Sequence, residues 1–211
     1  AGYQYINVDD GYFGKRDENG VMQANEKRFP NGMKPVADHI HSLGMKAGLY
    51  TDAGTRTCGS LWNKDSIGIG AGIYGHEPQD AQLYFGDWGF DFIKIDYCGG
   101  EVLGLDEKER YTSIRNSIDK VNKNVSINIC RWAYPGTWAK DAATSWRISG
   151  DINAHWNSLK YVVGKNLYLS AYAGNGHYND MDMMVVGFRN NSRVGGNGLT
   201  PTEEEAHFGL W

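Results

Sequence analysis

Hydrophobic positions in this chain occur in two alternating patterns. Short continuous apolar runs are typical of buried parallel strands, and apolar residues three or four positions apart are typical of helices. The runs predict strands at 3–9, 45–51, 91–96, 125–130, 144–148 and 167–171. The helical spacing predicts helices at 34–43, 78–88, 105–122 and 154–163, with a further helix starting at Thr200-Pro201.

This alternation of strands and helices predicts an α/β fold with a parallel sheet. A repeat of about 35 to 50 residues fits a (β/α)8 TIM barrel, which usually needs about 250 residues. The chain therefore holds an incomplete barrel, with about five to seven of the eight strands. It begins inside a predicted strand and ends inside a predicted helix, so we expect both ends to be truncated.

An open, doubly wound sheet is the alternative fold. Residues 70–75 (GAGIYG) match the letters of a dinucleotide-binding loop, but such a loop must follow a strand and open a helix. Residues 63–69 do not form a predicted strand, and Pro78 would interrupt a helix that started directly after the loop. We therefore interpret 70–75 as a loop in a barrel.

Composition narrows the range of partners. The 211 residues are 41% hydrophobic and 22% charged, an ordinary globular composition in which no stretch approaches a membrane span. A net charge of −4 gives no basic surface, which argues against nucleic acid or an anionic membrane as the main partner. The 28 glycines suit long functional loops, and the 13% aromatic content suits stacking on sugar rings.

Acidic residues recur where the predicted strands end. They are Asp9, Asp10, Asp52, Asp96, Asp151, Asp180 and Asp182. A barrel gathers its strand ends around one axis, so these carboxylates should converge on one pocket. A single strand-end aspartate could simply cap the following helix, but that interpretation does not explain all seven.

Asp96 and Asp151 each follow a predicted buried strand, and a pair of carboxyl groups in that position suggests glycoside hydrolysis. This reaction needs one ionised and one protonated carboxyl group, so the two residues are the candidate catalytic pair. Lys94, two residues before Asp96, favours the charged form and marks Asp96 as the nucleophile. Asp151 follows Gly150 and would be the acid/base, its pKa raised by repulsion from Asp96.

The cysteines Cys58, Cys98 and Cys130 allow one disulfide between loops, but spacing alone does not establish which pair forms it. No Cys or His spacing predicts zinc, since His39 and His41 point to different faces of a helix. We therefore predict neither a metal nor a cofactor.

Five motifs together resemble glycoside hydrolase family 27, the melibiase-like family of α-galactosidases and α-N-acetylgalactosaminidases. They are INVDDGY at 6–12, GLYTDAG at 48–54, DFIKIDYC at 91–98, WRISGDI at 146–152 and NDMDM at 179–183. They follow the family's order over nearly the whole chain. The resemblance implies a retaining hydrolase of glycans, with residues 1–211 as part of its barrel. The first and last strands and a C-terminal β-sandwich domain would lie outside this chain, and the expected location is secreted or periplasmic.

The resemblance also implies roles for individual residues. Asp96 would be the nucleophile and Asp151 the acid/base, while Cys58 and Cys98 would form the family's disulfide. Asp182 would be a supporting residue.

The implied substrate contacts surround the catalytic pair. Asp9 and Asp10 would hold the 4- and 6-hydroxyls of galactose, and Lys94 would contact ring hydroxyls. Arg147 would reach the hydroxyl at C2, and Tyr50 would line the pocket.

Two positions depart from the family pattern. Where galactosidases usually carry Cys-Glu-Trp, this chain has Cys130-Arg131-Trp132, so the charge beside the C2 substituent is reversed. Met181 replaces the usual proline. Arg131 and Trp132 remain candidate substrate-binding residues. Because of these departures, the candidate substrates include α-N-acetylgalactosaminides, β-L-arabinopyranosides and isomaltose-type linkages as well as α-galactosides.

Two other classes of protein compete with a glycosidase. A non-catalytic carbohydrate-binding barrel would not need both Asp96 and Asp151. An aldolase-type barrel would need a Schiff-base lysine, for which Lys94 is the candidate, and a glycine-rich phosphate loop after a late strand, which is not evident.

Overall fold

A computed structural model describes residues 2–189 and 196–211 of the protein. The strands are β1 Tyr5–Asn7, β2 Phe13–Arg16, β3 Met22–Ala24, β4 Lys46–Asp52, β5 Phe92–Asp96, β6 Ser126–Cys130, β7 Ser145–Arg147 and β8 Tyr178–Asp180. The helices are α1 Lys34–Ser42, α2 Cys58–Trp62, α3 Glu77–Ala81, α4 Cys98–Val102, α5 Glu107–Asp119, α6 Ala139–Ala142, α7 Trp156–Leu167 and α8 Pro201–Leu210.

Six of these strands form one parallel sheet in the order β1-β4-β5-β6-β7-β8. The sheet curls into part of a (β/α)8 barrel, which confirms the predicted fold class. Its register aligns Asp52 with Asp96, and Asp96 with Cys130, at the carboxyl ends of three neighbouring strands. Acids far apart in the sequence are therefore brought to one edge.

One face of the central strands is apolar because it packs into the hydrophobic core. Leu49, Ile93, Ile95, Ile127 and Ile129 are all at most 1% exposed. These residues belong to β4, β5 and β6, which the sequence pattern identified, and polar residues such as Lys94 and Asn128 alternate with them on the other face. Gly70–Gly75 lies in a loop between a turn at Ser66–Gly68 and α3, as predicted.

The strand predicted at 167–171 is wrong. Helix α7 continues to Leu167, and a 3-10 turn follows at Ser170–Tyr172. Leu167 and Tyr168, which suggested a strand, are exposed, with Tyr168 86% accessible, so no sheet neighbour supports one. The last strand of the sheet is instead β8, which is short and polar.

Pairing with β7 holds β8 in place. The indole Nε1 of Trp146 donates to Asn179 Oδ1 at 2.8 Å, and Asn179 Nδ2 donates to Leu169 O at 2.9 Å. The antiparallel hairpin of β2 and β3 was also not predicted. Asn19-Gly20 at its turn was a usable signal, because Gly20 adopts a positive φ of 79°.

The predicted helix start at Thr200-Pro201 is confirmed. Thr200 Oγ1 accepts a hydrogen bond from Glu203 N, and Glu203 Oε2 accepts one from Thr200 N, which forms a capping box. Across residues 2–189 and 196–211, no helix has the length and hydropathy that a membrane span requires.

The buried centre of β5 should dominate the free energy of unfolding. We expect Ile95→Ala to lower it by about 2–5 kcal/mol, because Ile95 is fully buried and the surrounding strands cannot collapse onto the cavity. The matched control is Ile69→Ala, since Ile69 is 58% exposed and should change stability by less than about 0.5 kcal/mol. Urea unfolding followed by circular dichroism measures both, and equal losses would contradict the assignment of the core.

Candidate active site

The strand ends open into two adjoining cavities. A cleft of about 320 Å³ is lined by Cys58, Trp62, Lys94, Asp96, Cys98, Glu101, Cys130, Trp132 and Asp151. A second cavity of about 500 Å³ lies on the inner side of the sheet, and its polar lining includes Asp9, Asn128, Arg147, Asp180 and Asp182. Lys94 and Asp151 line both cavities. The fold thus brings the two candidate catalytic aspartates to one cleft.

Asp96 forms the floor of this cleft and is only 5% exposed. Its Oδ1 lies 4.0 Å from Lys94 Nζ and accepts no hydrogen bond from any described residue. Burial raises the pKa of Asp96, while Lys94, the Cys130 thiol and the Tyr50 hydroxyl act to lower it. Lys94 thus acts in the direction expected from the sequence, but burial is the larger effect.

Lys94 links Asp96 to the end of β1. Its Nζ contacts Asp9 Oδ2 at 3.1 Å and lies 5.2 Å from the centre of the Tyr50 ring. Although burial lowers the pKa of Lys94, the carboxylates of Asp96 and Asp9 raise it overall. Lys94 is therefore a fixed positive charge between two carboxylates.

Asp151 stands at the mouth of the cleft, with a side chain that is 74% exposed. Arg147 Nη2 lies 3.1 Å from Asp151 Oδ1 and 2.9 Å from Asp182 Oδ2. Asp182 Oδ2 also accepts a hydrogen bond from Ile152 N at 2.8 Å. Buried Arg147 and the partly buried Asp182 thus hold the backbone next to Asp151.

The remaining candidate binding residues lie at different depths. Asp9 is exposed beside Lys94, whereas Tyr50 is buried beneath that lysine. Asp10 turns towards α2, where its Oδ2 accepts a hydrogen bond from Gly59 N at 3.0 Å. Burial is the largest cause of its raised pKa.

A disulfide joins Cys58 to Cys98 and so ties the start of α2 to the start of α4. This confirms the pairing that the family resemblance implied. Below it, Asp52 accepts hydrogen bonds from Gly54 N at 2.7 Å and Gly99 N at 3.0 Å. Burial nevertheless raises the pKa of Asp52 to about 7. Position 99 must be glycine, because a Cβ there would lie 2.5 Å from a backbone oxygen.

Arg131 and Trp132 separate at the end of β6. Arg131 Nε pairs with Glu107 Oε1 at 2.6 Å, and Arg131 is not among the residues that line the cleft. Trp132 lines the cleft and has a positive φ of 63°, which is unusual for a bulky residue. The geometry therefore brings only Trp132 of this pair to the candidate catalytic residues.

Two cleft residues, Trp62 and Glu101, were not identified from the sequence. Each lies within about one helical turn of a disulfide cysteine, Trp62 four residues after Cys58 and Glu101 three after Cys98. That spacing was the available signal, since a disulfide at the mouth of the site carries its neighbours with it.

A parallel barrel sheet with two carboxyl groups in a cleft at its strand ends is the arrangement of barrel glycoside hydrolases. The family model for melibiase, described as "Alpha galactosidase A", matches residues 1–201. The chain belongs to this α-galactosidase family, which confirms the resemblance seen in its motifs.

Named relatives agree with this membership. The chain is 41% identical to α-galactosidase A of Cellvibrio japonicus over 224 residues, covering 100% of this chain and 50% of that protein. It is 39% identical to an α-galactosidase of Cyamopsis tetragonoloba, covering 100% of this chain and 47% of that protein. A solved structure of the Saccharomyces cerevisiae α-galactosidase with raffinose superposes with a TM-score of 0.80 at 29% identity, covering 100% of this chain and 48% of that one. The chain spans about half the length of the curated relatives it matches.

Asp52 should make folding stability depend on pH. It keeps its proton in the folded protein up to about pH 7 but loses it near pH 4 in the unfolded chain. The contribution of Asp52 to the free energy of unfolding is therefore fully present below about pH 4. It falls as the pH rises to about 7, by at most about 4 kcal/mol. Asp52→Asn cannot titrate, so its free energy of unfolding should fall less steeply over this range. Urea unfolding at five pH values compares the two proteins, and identical slopes would refute the shift.

Proposed function

We propose that the protein carrying this chain is a retaining glycoside hydrolase that removes terminal α-D-galactose from oligosaccharides by double displacement. The observation that carries the proposal is the placement of Asp96 and Asp151 in one cleft. Lys94 lines both this cleft and the second cavity. The names of the relatives support the choice of sugar, since they are α-galactosidases. Because the chain spans about half of each relative, the proposal concerns the full-length protein.

In the proposed first step, an Asp96 oxygen attacks the anomeric carbon of galactose. Asp151 gives its proton to the glycosidic oxygen, the bond from the anomeric carbon to that oxygen breaks, and a galactosyl ester forms on Asp96. In the second step Asp151 takes a proton from water. The water oxygen attacks the anomeric carbon, which releases galactose and restores the Asp96 carboxylate.

The surroundings of the two aspartates favour this division of roles. Asp96 is buried on the floor, where a bound sugar would exclude water and strengthen its interaction with Lys94 at 4.0 Å. Asp151 is exposed at the mouth, where the attacking water of the second step can reach it. An acid/base residue needs that access, and a nucleophile does not.

We propose that the polar side chains of the second cavity bind the galactose hydroxyls. Asp9 and Lys94 form an adjoining acceptor and donor 3.1 Å apart, suited to neighbouring hydroxyls such as those at C4 and C3. Asp10 would complete the contact to the 6-hydroxyl, Arg147 would reach the C2 hydroxyl, and Tyr50 would support Lys94 from below. The disulfide supports a secreted or periplasmic location, because such bonds persist in oxidising compartments.

A different sugar is the second candidate, and Arg131 favours it. Position 131 usually carries the family's C2-recognising glutamate. Here it carries an arginine that pairs with Glu107, so no acid reaches the cleft from this position. A family member acting on α-N-acetylgalactosaminides or β-L-arabinopyranosides would fit this departure.

Substitution of each catalytic aspartate should give a different defect. We expect Asp96→Asn to lower kcat on nitrophenyl α-galactoside by at least about 10³-fold, because no covalent intermediate can form. Asp151→Asn should still cleave this substrate slowly, since nitrophenolate leaves without a proton. Added azide should speed the Asp151 variant and give α-galactosyl azide, the product of two inversions. Asp38→Asn, an exposed acid on α1, is the matched control. Wild-type rates in both active-site variants would refute the assignment.

A substrate panel tests the choice of sugar. We expect kcat/KM of the full-length protein to be highest on nitrophenyl α-galactoside, compared with the α-N-acetylgalactosaminide and the β-L-arabinopyranoside. Each sugar differs from galactose at one position, C2 or C6, so the ranking reports on one contact at a time. A preference for either alternative would replace the α-galactosidase proposal but keep the two-aspartate mechanism.

A further inference from the structure

Trp62 is unusual among the residues of the cleft. It is the last residue of α2, it lines the cleft that contains Asp96, and it is 71% exposed. Ligand pockets are lined mainly by hydrophobic and aromatic side chains, so an exposed tryptophan inside a cleft is a candidate binding surface. The core gives no reason for a tryptophan at this position.

Although Trp62 is exposed, its indole is anchored. Its Nε1 donates to Cys98 Sγ at 3.2 Å, and Cys98 is fixed by the disulfide to Cys58 at the start of the same helix. Thr57 caps α2 by accepting a hydrogen bond from Ser60 N. A ring held in this way loses little conformational freedom when a ligand stacks on it.

The depth of the cleft determines which part of a substrate meets Trp62. Asp96 is on the floor, so the sugar that it attacks lies deepest. Asp151 is at the mouth, and the departing oxygen must come within hydrogen-bond reach of it. The leaving group therefore extends outward through the mouth, where Trp62 is exposed.

The side chains at the mouth match the chemistry of a sugar ring. Trp62 and Trp132 offer flat apolar faces to the C–H face of a ring, and exposed Glu101 offers acceptors for its hydroxyls. We propose that Trp62 forms a leaving-group subsite that stacks on the second sugar ring of an oligosaccharide. The inference rests on the proposed function and adds which residue binds the sugar beyond the galactose.

The test compares two substrates with the same galactose on the full-length protein. Raffinose carries further sugar rings beyond its galactose, whereas α-galactosyl fluoride carries no ring in the leaving group. The measured quantity is the ratio of kcat/KM for raffinose to kcat/KM for the fluoride, since kcat/KM reports on the first chemical step. This ratio cancels changes that affect the galactose site or the amount of folded protein.

We expect Trp62→Ala to lower the ratio by about 3- to 10-fold, the range that one aromatic contact contributes. Trp62→Phe should keep most of the ratio, because a stacking face remains. The matched control is Tyr168→Ala, an exposed aromatic residue outside the cleft that should leave the ratio unchanged.

The outcomes separate this inference from the proposed function. A ratio for Trp62→Ala within about twofold of wild type would overturn the subsite, even if both rates fall together, and would leave the hydrolase proposal intact. If the unchanged protein cleaves neither substrate, the proposed function fails, and the subsite fails with it.

Discussion

The burial of Asp96 next to Lys94 is the constraint on which the candidate site depends. A carboxylate at the end of a central parallel strand has little water around it, and a buried charge is costly without a cation or hydrogen bonds. Lys94 supplies the cation from the same strand, because residues two apart point to the same face. The lysine also contacts Asp9 on the loop after β1, so one ammonium group links the ends of two strands beside Asp96.

A second layer of structure fixes the mouth of the cleft. The disulfide holds α2 and α4 together, and buried Asp52 binds the backbone amides of Gly54 and Gly99 beneath it. Arg147 and Asp182 do the same for the loop that carries Asp151. The exposed groups, Trp62 and Asp151, thus stand on rigid supports. The cleft is therefore open at its mouth although the groups there are held in place.

Arg131 shows how a departure from a family pattern can be absorbed by the fold. An arginine in place of a recognition acid suggested a direct effect on the substrate. Its guanidinium instead pairs with Glu107 on α5, away from the lining of the cleft. The effect on the cleft is that position 131 contributes no acid. The adjoining Trp132 lines the cleft and adopts a positive φ.

The sequence by itself determined the class of fold, the central strands and the acids at their ends. A short strand such as 91–96 buries its isoleucines in the core, and the motifs carry the candidate catalytic residues within them. The sequence did not determine β8, the β2–β3 hairpin or the contributions of Trp62 and Glu101. A polar strand such as Tyr178–Asp180 gains its stability from pairing with β7 rather than from its own pattern. The direction of Arg131 and the net effect of burial on Asp96 were also decided only by the tertiary structure, because both depend on neighbours that are distant in the chain.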